Sequence, residues 1–154
     1  MHKIAIYDLD RTILKTPTFT AFLVFAARYN GRSLIWRAPI WIAALIGYKL
    51  KLYRRKPLKQ FGVKLFVAAQ TRQEDMAELS RAFANSVVPG DVQPGASAAI
   101  ARDRADGARL IIASAAPEFY VSEIAQPLRF DDFIATRHLE DDVHISYQID
   151  GNNC

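Results

Sequence analysis

The sequence predicts an α/β fold in which a parallel sheet is interrupted by an inserted, all-helical cap. Two observations carry this. Short apolar runs of strand length, residues 3–9 and 109–113, each end in a polar side chain at a turn. Helix-like segments lie between them and again after the second, and helix-separated strands pair in parallel through right-handed crossovers.

Each element has its own local reason. Residues 3–9 read as a buried strand. Residues 19–29 are apolar enough for a helix, with Pro17 as a first-turn residue and Asn30-Gly31 closing it. Residues 34–50 form a second helix, and 57–69 and 72–86 two more; Val63, Phe66 and Val67 mark the inner face of the third. Val87-Val88-Pro89-Gly90 reads as a turn. A helix over 95–104 ends at Asp106-Gly107. After the strand at 109–113, Pro117 opens a helix that runs to Ala125. Residues 133–136 make a short strand, and His144–Ile149 alternate as an exposed ribbon before the Asp150-Gly151 turn. The core is thereby assigned to residues 1–14 and 88–154, and the cap to residues 15–87.

Half of the 154 residues are hydrophobic (51%) and 23% are charged, which suits one globular unit with a substantial core. The single cysteine, Cys154, excludes an internal disulfide, and the N-terminus lacks a signal-peptide pattern, so a cytoplasmic location is expected. The net charge of +4 hides a strong asymmetry. Residues 11–73 contain no acid and 13 basic residues; residues 74–154 contain 14 acids against 6 arginines. The basic half should meet something anionic, a phosphate group or an acidic lipid surface, and no nucleic acid is expected. Within residues 34–50 the longest apolar run, 38–48, is too short to span a bilayer, which takes roughly 20 residues. A core helix is the expected state, with an interfacial one as its rival because of Trp36, Trp41 and the basic residues that follow.

The chemistry concentrates at the strand ends. The first strand runs into Asp8-Leu9-Asp10-Arg11-Thr12. Because side chains alternate along a strand, Asp8 and Asp10 share one side while Leu9 turns into the core. Two such carboxylates can hold one hard cation and divide the work of nucleophile and proton shuttle. The second strand ends at Ser114, whose hydroxyl, with the N–H groups of the following turn at Ala115, can hold phosphate oxygens. In parallel sheets ligands bind outside the carboxyl ends of the strands, which would put Ser114 on the same rim as the acid pair. His2, His138 and His144 lack ligand spacing and receive no role.

On these motifs the chain resembles the haloacid dehalogenase superfamily, in the phosphoserine-phosphatase-like branch with a helical cap. Asp8-Leu9-Asp10-Arg11-Thr12 and Ile111-Ile112-Ala113-Ser114 carry the likeness. Tyr120-Val121, Phe130-Asp131, Ala135-Thr136-Arg137 and the stretch from Ile149-Asp150-Gly151 to Asn152-Asn153-Cys154 extend it. The resemblance implies a Rossmann-like core and a Mg²⁺-dependent phosphomonoester hydrolase. Asp8 would attack phosphorus and form an aspartyl-phosphate. Asp10 would protonate the leaving alcohol and then activate water. Mg²⁺ would sit between the Asp8 carboxylate, the Asp10 main-chain carbonyl and the phosphate. Thr12 would steady the loop, and Ser114 would bond the transferring phosphoryl.

Members of the superfamily continue into a lysine motif and a paired acidic motif, whereas this sequence stops at Cys154 with no lysine after Lys64. A truncated chain is therefore expected, weakly active or inactive alone, with its first strand left at a sheet edge. A non-catalytic relative that binds phosphate or an anionic membrane is the alternative. The early-cap acid that pairs with a free phosphoamino acid is missing, since Pro17 stands nine residues after Asp8. The expected substrate is accordingly a phosphorylated small molecule or lipid-linked phosphate, with peripheral contact between the basic cap and an anionic membrane.

Overall fold

A computed structural model describes residues 3–151. The elements are β1 (Ile4–Tyr7), α1 (Thr18–Tyr29), α2 (Leu34–Lys49), α3 (Arg55–Phe66), β2 (Gln70–Arg72), α4 (Gln73–Asp91), α5 (Pro94–Ala105), β3 (Arg109–Pro117), α6 (Glu118–Ala125), β4 (Asp132–Thr136), β5 (His138–Glu140) and β6 (His144–Ile149). His2 and the Asn152-Asn153-Cys154 tail lie outside the described residues.

The first sheet has the order β1-β3-β4, all parallel, as the helix-separated strands require. Tyr7 pairs with Ile112 and Ala113 with Ile134, so β1 ends level with Ile112, while β3 continues past the expected end at 113 as far as Pro117, with Ser114 inside the strand. β1 pairs with no other described strand, matching the expected edge position. Leu110, Ile112 and Ala116 of β3 turn into the core, where Leu9, Ile13 and Leu14 are fully enclosed with Phe22, Phe83 and Tyr120. Burying such side chains contributes about 1.5–3 kcal/mol each. Phe22 stands edge-on to Phe83 at 5.3 Å and against Tyr120 at 4.8 Å, tying α1 to α4 and α6.

A second sheet, antiparallel with the order β2-β6-β5, was not legible in the sequence beyond the ribbon at His144–Ile149. Gln70, Thr71 and Arg72 pair with Ser146, Ile145 and His144, so α3 ends at Phe66 and the chain turns into a strand inside the segment assigned to helices. Strands of three residues leave too little alternation to read.

The turn expected at Val87-Val88-Pro89-Gly90 does not form; these residues are the last turn of α4. Proline removes one helical hydrogen bond, but distant partners hold this turn. Lys15 N–H donates to the Asp91 carbonyl at 2.9 Å, Gln93 N–H donates to the Ile13 carbonyl at 2.9 Å, and the Asp91 carboxylate accepts from Thr16 N–H at 2.9 Å. Tertiary contact overrides the local signal. The segment read as a core helix, α2, is core on one side only: Trp41 is 4% exposed and Trp36 77%.

Candidate active site

The loop after β1 is a tight turn anchored from inside. Ile13 N–H donates to the Leu9 carbonyl at 3.1 Å and Leu14 N–H to the same oxygen at 3.0 Å, while Leu9, Ile13 and Leu14 are wholly buried. With Leu9 pinned inward, the residues on either side are held toward the rim. Asp8 is exposed, and its Oδ2 accepts a long hydrogen bond from Thr12 Oγ1 at 3.3 Å. Arg11 takes φ +62° within this turn, a left-handed conformation that costs a side-chain-bearing residue about 1–2 kcal/mol. Its carbonyl accepts from Gln93 Nε2 at 2.7 Å, which helps to hold that geometry.

Asp10 occupies a different environment. Its Oδ1 accepts from Thr18 N–H at 2.9 Å and from Thr18 Oγ1 at 2.7 Å, so the carboxylate closes the start of α1. Thr18 Oγ1 lies 3.1 Å from the Tyr120 hydroxyl. Since the Thr18 proton goes to Asp10, Tyr120 is the donor in that contact, and the relay runs from Tyr120 through Thr18 to Asp10 Oδ1. Burial holds the Tyr120 phenol well above its usual range, and the Asp10 charge adds to this against the lowering effects of Thr18 and Arg55, so it stays a donor. Among the described residues Asp10 Oδ2 has no protein partner.

Across the rim, Ser114 is buried and its Oγ accepts from Ala116 N–H at 3.1 Å, leaving the hydroxyl proton to donate. The β3–β4 register shifts between Ala113 and Pro117, so this stretch leaves the regular ladder. The Ala115–Ala116 peptide is clamped at both ends. Its N–H goes to Ser114, and its carbonyl accepts from Thr136 Oγ1 at 2.8 Å and from Lys59 Nζ.

The geometry thus brings Asp8, Asp10, Thr12, Ser114 and Ala115 to the carboxyl edge of two paired strands. Three further residues escaped the sequence reading: Thr18, Tyr120 and Lys59. Lys59 carried a signal, because it falls in helical register with Gly62, Val63 and Phe66, a buried lysine on an otherwise apolar face. It comes from α3, and its ammonium also lies 5.9 Å from the Phe19 ring. One turn earlier, Arg55 acts electrostatically on Tyr120. The charge of Lys59 and the burial of His138 together bear on that histidine: burial first, then Lys59, lowers it to about 4.

No group of three or more histidine, cysteine, aspartate or glutamate side chains that could cage a metal ion occurs among the described residues. The Asp8 carboxylate and the Asp10 main-chain carbonyl are hard oxygen donors on one loop. That set fits Mg²⁺, which takes one or two carboxylates and keeps water and substrate phosphate as its other ligands.

Residues 5–154 match the haloacid dehalogenase-like hydrolase family. Protein CicA of Caulobacter vibrioides, from strains NA1000 / CB15N and ATCC 19089, is 34% identical over 149 residues, covering 96% of this chain and 65% of that protein. The chain thus spans just under two thirds of the length of these curated relatives. A protein of unknown function from Bordetella pertussis Tohama I superposes with a TM-score of 0.85 at 19% identity, over 99% of this chain and 68% of its own. A phosphoserine phosphatase in the form of a phospho-aspartyl intermediate analogue gives 0.61 at 15% identity, over 97% and 63%. At such identities these structures speak for the fold.

Proposed function

The chain belongs to the haloacid dehalogenase-like hydrolases, and from that premise we propose that it is a phosphomonoester hydrolase working at the Asp8–Asp10 loop through an aspartyl-phosphate. The observation that carries this reading is the unequal environment of the two carboxylates. Asp8 is open and only weakly held, as a nucleophile should be. Asp10 is fixed through one oxygen by Thr18, which leaves the other to handle protons.

In the first step an Asp8 oxygen bonds phosphorus as the ester oxygen leaves, and Asp10 gives that oxygen its proton. In the second, Asp10 takes a proton from water, the water oxygen bonds phosphorus, and the Asp8–phosphorus bond breaks to release inorganic phosphate. Ser114 Oγ, held by the Ala116 N–H of the clamped peptide, and the Ala115 N–H would hold phosphoryl oxygens throughout. Thr12 steadies Asp8. Asp8 and the Asp10 carbonyl would hold Mg²⁺, which when bound supplies positive charge against the phosphate oxygens. The fold neighbour captured as a phospho-aspartyl intermediate analogue supports the covalent route. The buried Lys59 ammonium on the Ala115 carbonyl and the acid-free, basic stretch 11–73 favour an anionic substrate, and a lipid-linked phosphate or a phosphorylated small molecule fits that charge.

The test is hydrolysis of p-nitrophenyl phosphate with Mg²⁺ and with a chelator, beside Asp8→Asn and Asp10→Asn. Because the lysine and paired acidic motifs of the family are absent after Lys64, the expected result is weak Mg²⁺-dependent turnover that both variants abolish. Turnover that survives Asp8→Asn overturns the assignment. Phosphate binding without any turnover favours a non-catalytic phosphate-holding relative instead.

A further inference from the structure

Apart from Arg37, which bonds the Leu65 and Ser33 carbonyls, and the terminal Lys49, α2 is apolar in composition, as in a helix that is covered all round. Here it is covered on one side. Trp41 packs edge-on to Phe66 at 6.0 Å and against Phe19 at 6.1 Å, and the indole lies so close to Gly62 that a Cβ there would meet it at 3.0 Å. That contact fixes the helix rotation. The opposite stripe, Trp36, Ile40, Ile46 and Leu50 at helical spacing, therefore faces outward, with Leu50 66% exposed and Leu52 just beyond it 73%.

Two further observations say what covers it. A hollow of about 490 Å³ lies between α2 and α3, lined by Ile40, Ala44, Tyr53, Pro57, Leu58 and Phe61, so it continues the stripe inward. Its walls are almost wholly apolar, and its size suits a hydrocarbon segment. At the helix's C-terminal end stand Lys49, Lys51, Arg54 and Arg55, none in an ion pair with an acid among the described residues; residues 11–73 contain no acid at all. A second copy seated stripe to stripe would bring the same cations together. An anionic surface would complement them.

We infer that this stripe is a docking surface for an anionic lipid bilayer: α2 lies in the interface plane with Trp36, Ile40, Ile46 and Leu50 among the acyl chains and the basic cluster among the headgroup phosphates. It does not cross. No helix among the described residues is long and apolar enough to span a membrane. Each cation near an anionic leaflet strengthens partition about fivefold. Arg55 begins α3, the helix whose Lys59 reaches the Ala115 carbonyl beside Ser114, so docking brings that helix toward the headgroup phosphates.

Flotation with phosphatidylcholine vesicles, with and without phosphatidylglycerol, tests the inference on the protein and on two exposed-surface variants, Trp36→Ser/Ile46→Ser and Lys49→Glu/Lys51→Glu/Arg54→Glu. Binding that requires phosphatidylglycerol, falls at high salt and drops at least tenfold in both variants is the expected result. A blue shift of Trp36 emission on adding vesicles, absent in Trp36→Phe, is the companion readout and does not depend on how the variants fold. Failure to float with phosphatidylglycerol vesicles overturns the inference. So does a dimer in solution that Trp36→Ser/Ile46→Ser converts to monomer, since the stripe would then be covered by a second copy. Asp8→Asn should float like the unaltered protein, which separates this surface from the proposed chemistry.

Discussion

Lys59 of α3 donates its ammonium to the carbonyl of Ala115, the residue after Ser114, and Thr136 Oγ1 donates to the same oxygen at 2.8 Å. A helix inserted between the first and second parallel strands thereby grips the turn that presents the Ser114 hydroxyl. Helix α3 and strands β3 and β4 are thereby joined at the proposed phosphate site.

Removing that grip should show in turnover before it shows in folding. Lys59→Met keeps the volume and retains the Thr136 bond, so the chain should fold. The loosened turn should lower kcat about tenfold, since small misplacements of positioned groups are costly. Phosphatase assays with a thermal melt beside them check this; unchanged kcat would mean that Ala115 is held well enough by Thr136 alone.

The relay to Asp10 makes a second expectation. Thr18→Val leaves the main-chain N–H on Asp10 Oδ1 but removes the hydroxyl bond, and with it the partner of the buried Tyr120 hydroxyl. The loss should be about 2 kcal/mol of stability, in the range for a hydrogen bond to a charge and an orphaned buried donor. Denaturant unfolding measures it. Turnover should fall together with stability, because the Asp10 carboxylate, held by one hydrogen bond instead of two, is aimed less firmly.

Acid should loosen the second sheet through His138. Its two ring nitrogens are buried without a hydrogen-bond partner among the described residues, and burial with the Lys59 charge lowers its folded-state value to about 4, below the ordinary 6.5. Between those values the unfolded chain binds the extra proton, so this contribution to stability is fully present above about pH 6.5 and is lost as pH falls toward 4. The loss amounts to at most about 3 kcal/mol. Unfolding curves across that window should steepen in pH dependence, and His138→Phe should flatten them.

Gly62 of α3 lies tightly against Leu23 of α1 and Trp41 of α2. A Cβ there would stand 2.7 Å from Leu23 Cδ1 and 3.0 Å from the Trp41 ring, both buried. Gly62→Val should therefore destabilise the fold by about 1–3 kcal/mol despite valine's better helix propensity. A lower unfolding midpoint with unchanged m-value is the expected reading. A stabilised variant would mean that Leu23 can shift freely.

The parts of this protein that the sequence revealed are those set by local pattern. The in–out order expected for Asp8, Leu9 and Asp10 is kept, with only Leu9 buried, although all three lie in the turn beyond β1, and the parallel pairing of Tyr7 with Ile112 carries Ser114 toward the same edge. What escaped reading depends on distant contacts. Thr18 and Tyr120 meet across 102 residues, and no short-range spacing announces such a pair. Pro89-Gly90 is a strong local turn signal that lost to hydrogen bonds from residues 13–16 and 93. Trp36 and Trp41 look alike in sequence, and only the packing of Trp41 beside Gly62 decides which one faces out.

A crystal structure of the beryllofluoride complex, with Mg²⁺ present, measures the shared geometry most directly. Expected is beryllium bonded to an Asp8 oxygen, with its fluorides in hydrogen-bond reach of Ser114 Oγ and the Ala115 N–H, and Asp10 Oδ2 facing the open side of the beryllium. Beryllium on any other carboxylate, or Ser114 out of reach of the fluorides, would contradict a single phosphate site formed by the two strand ends.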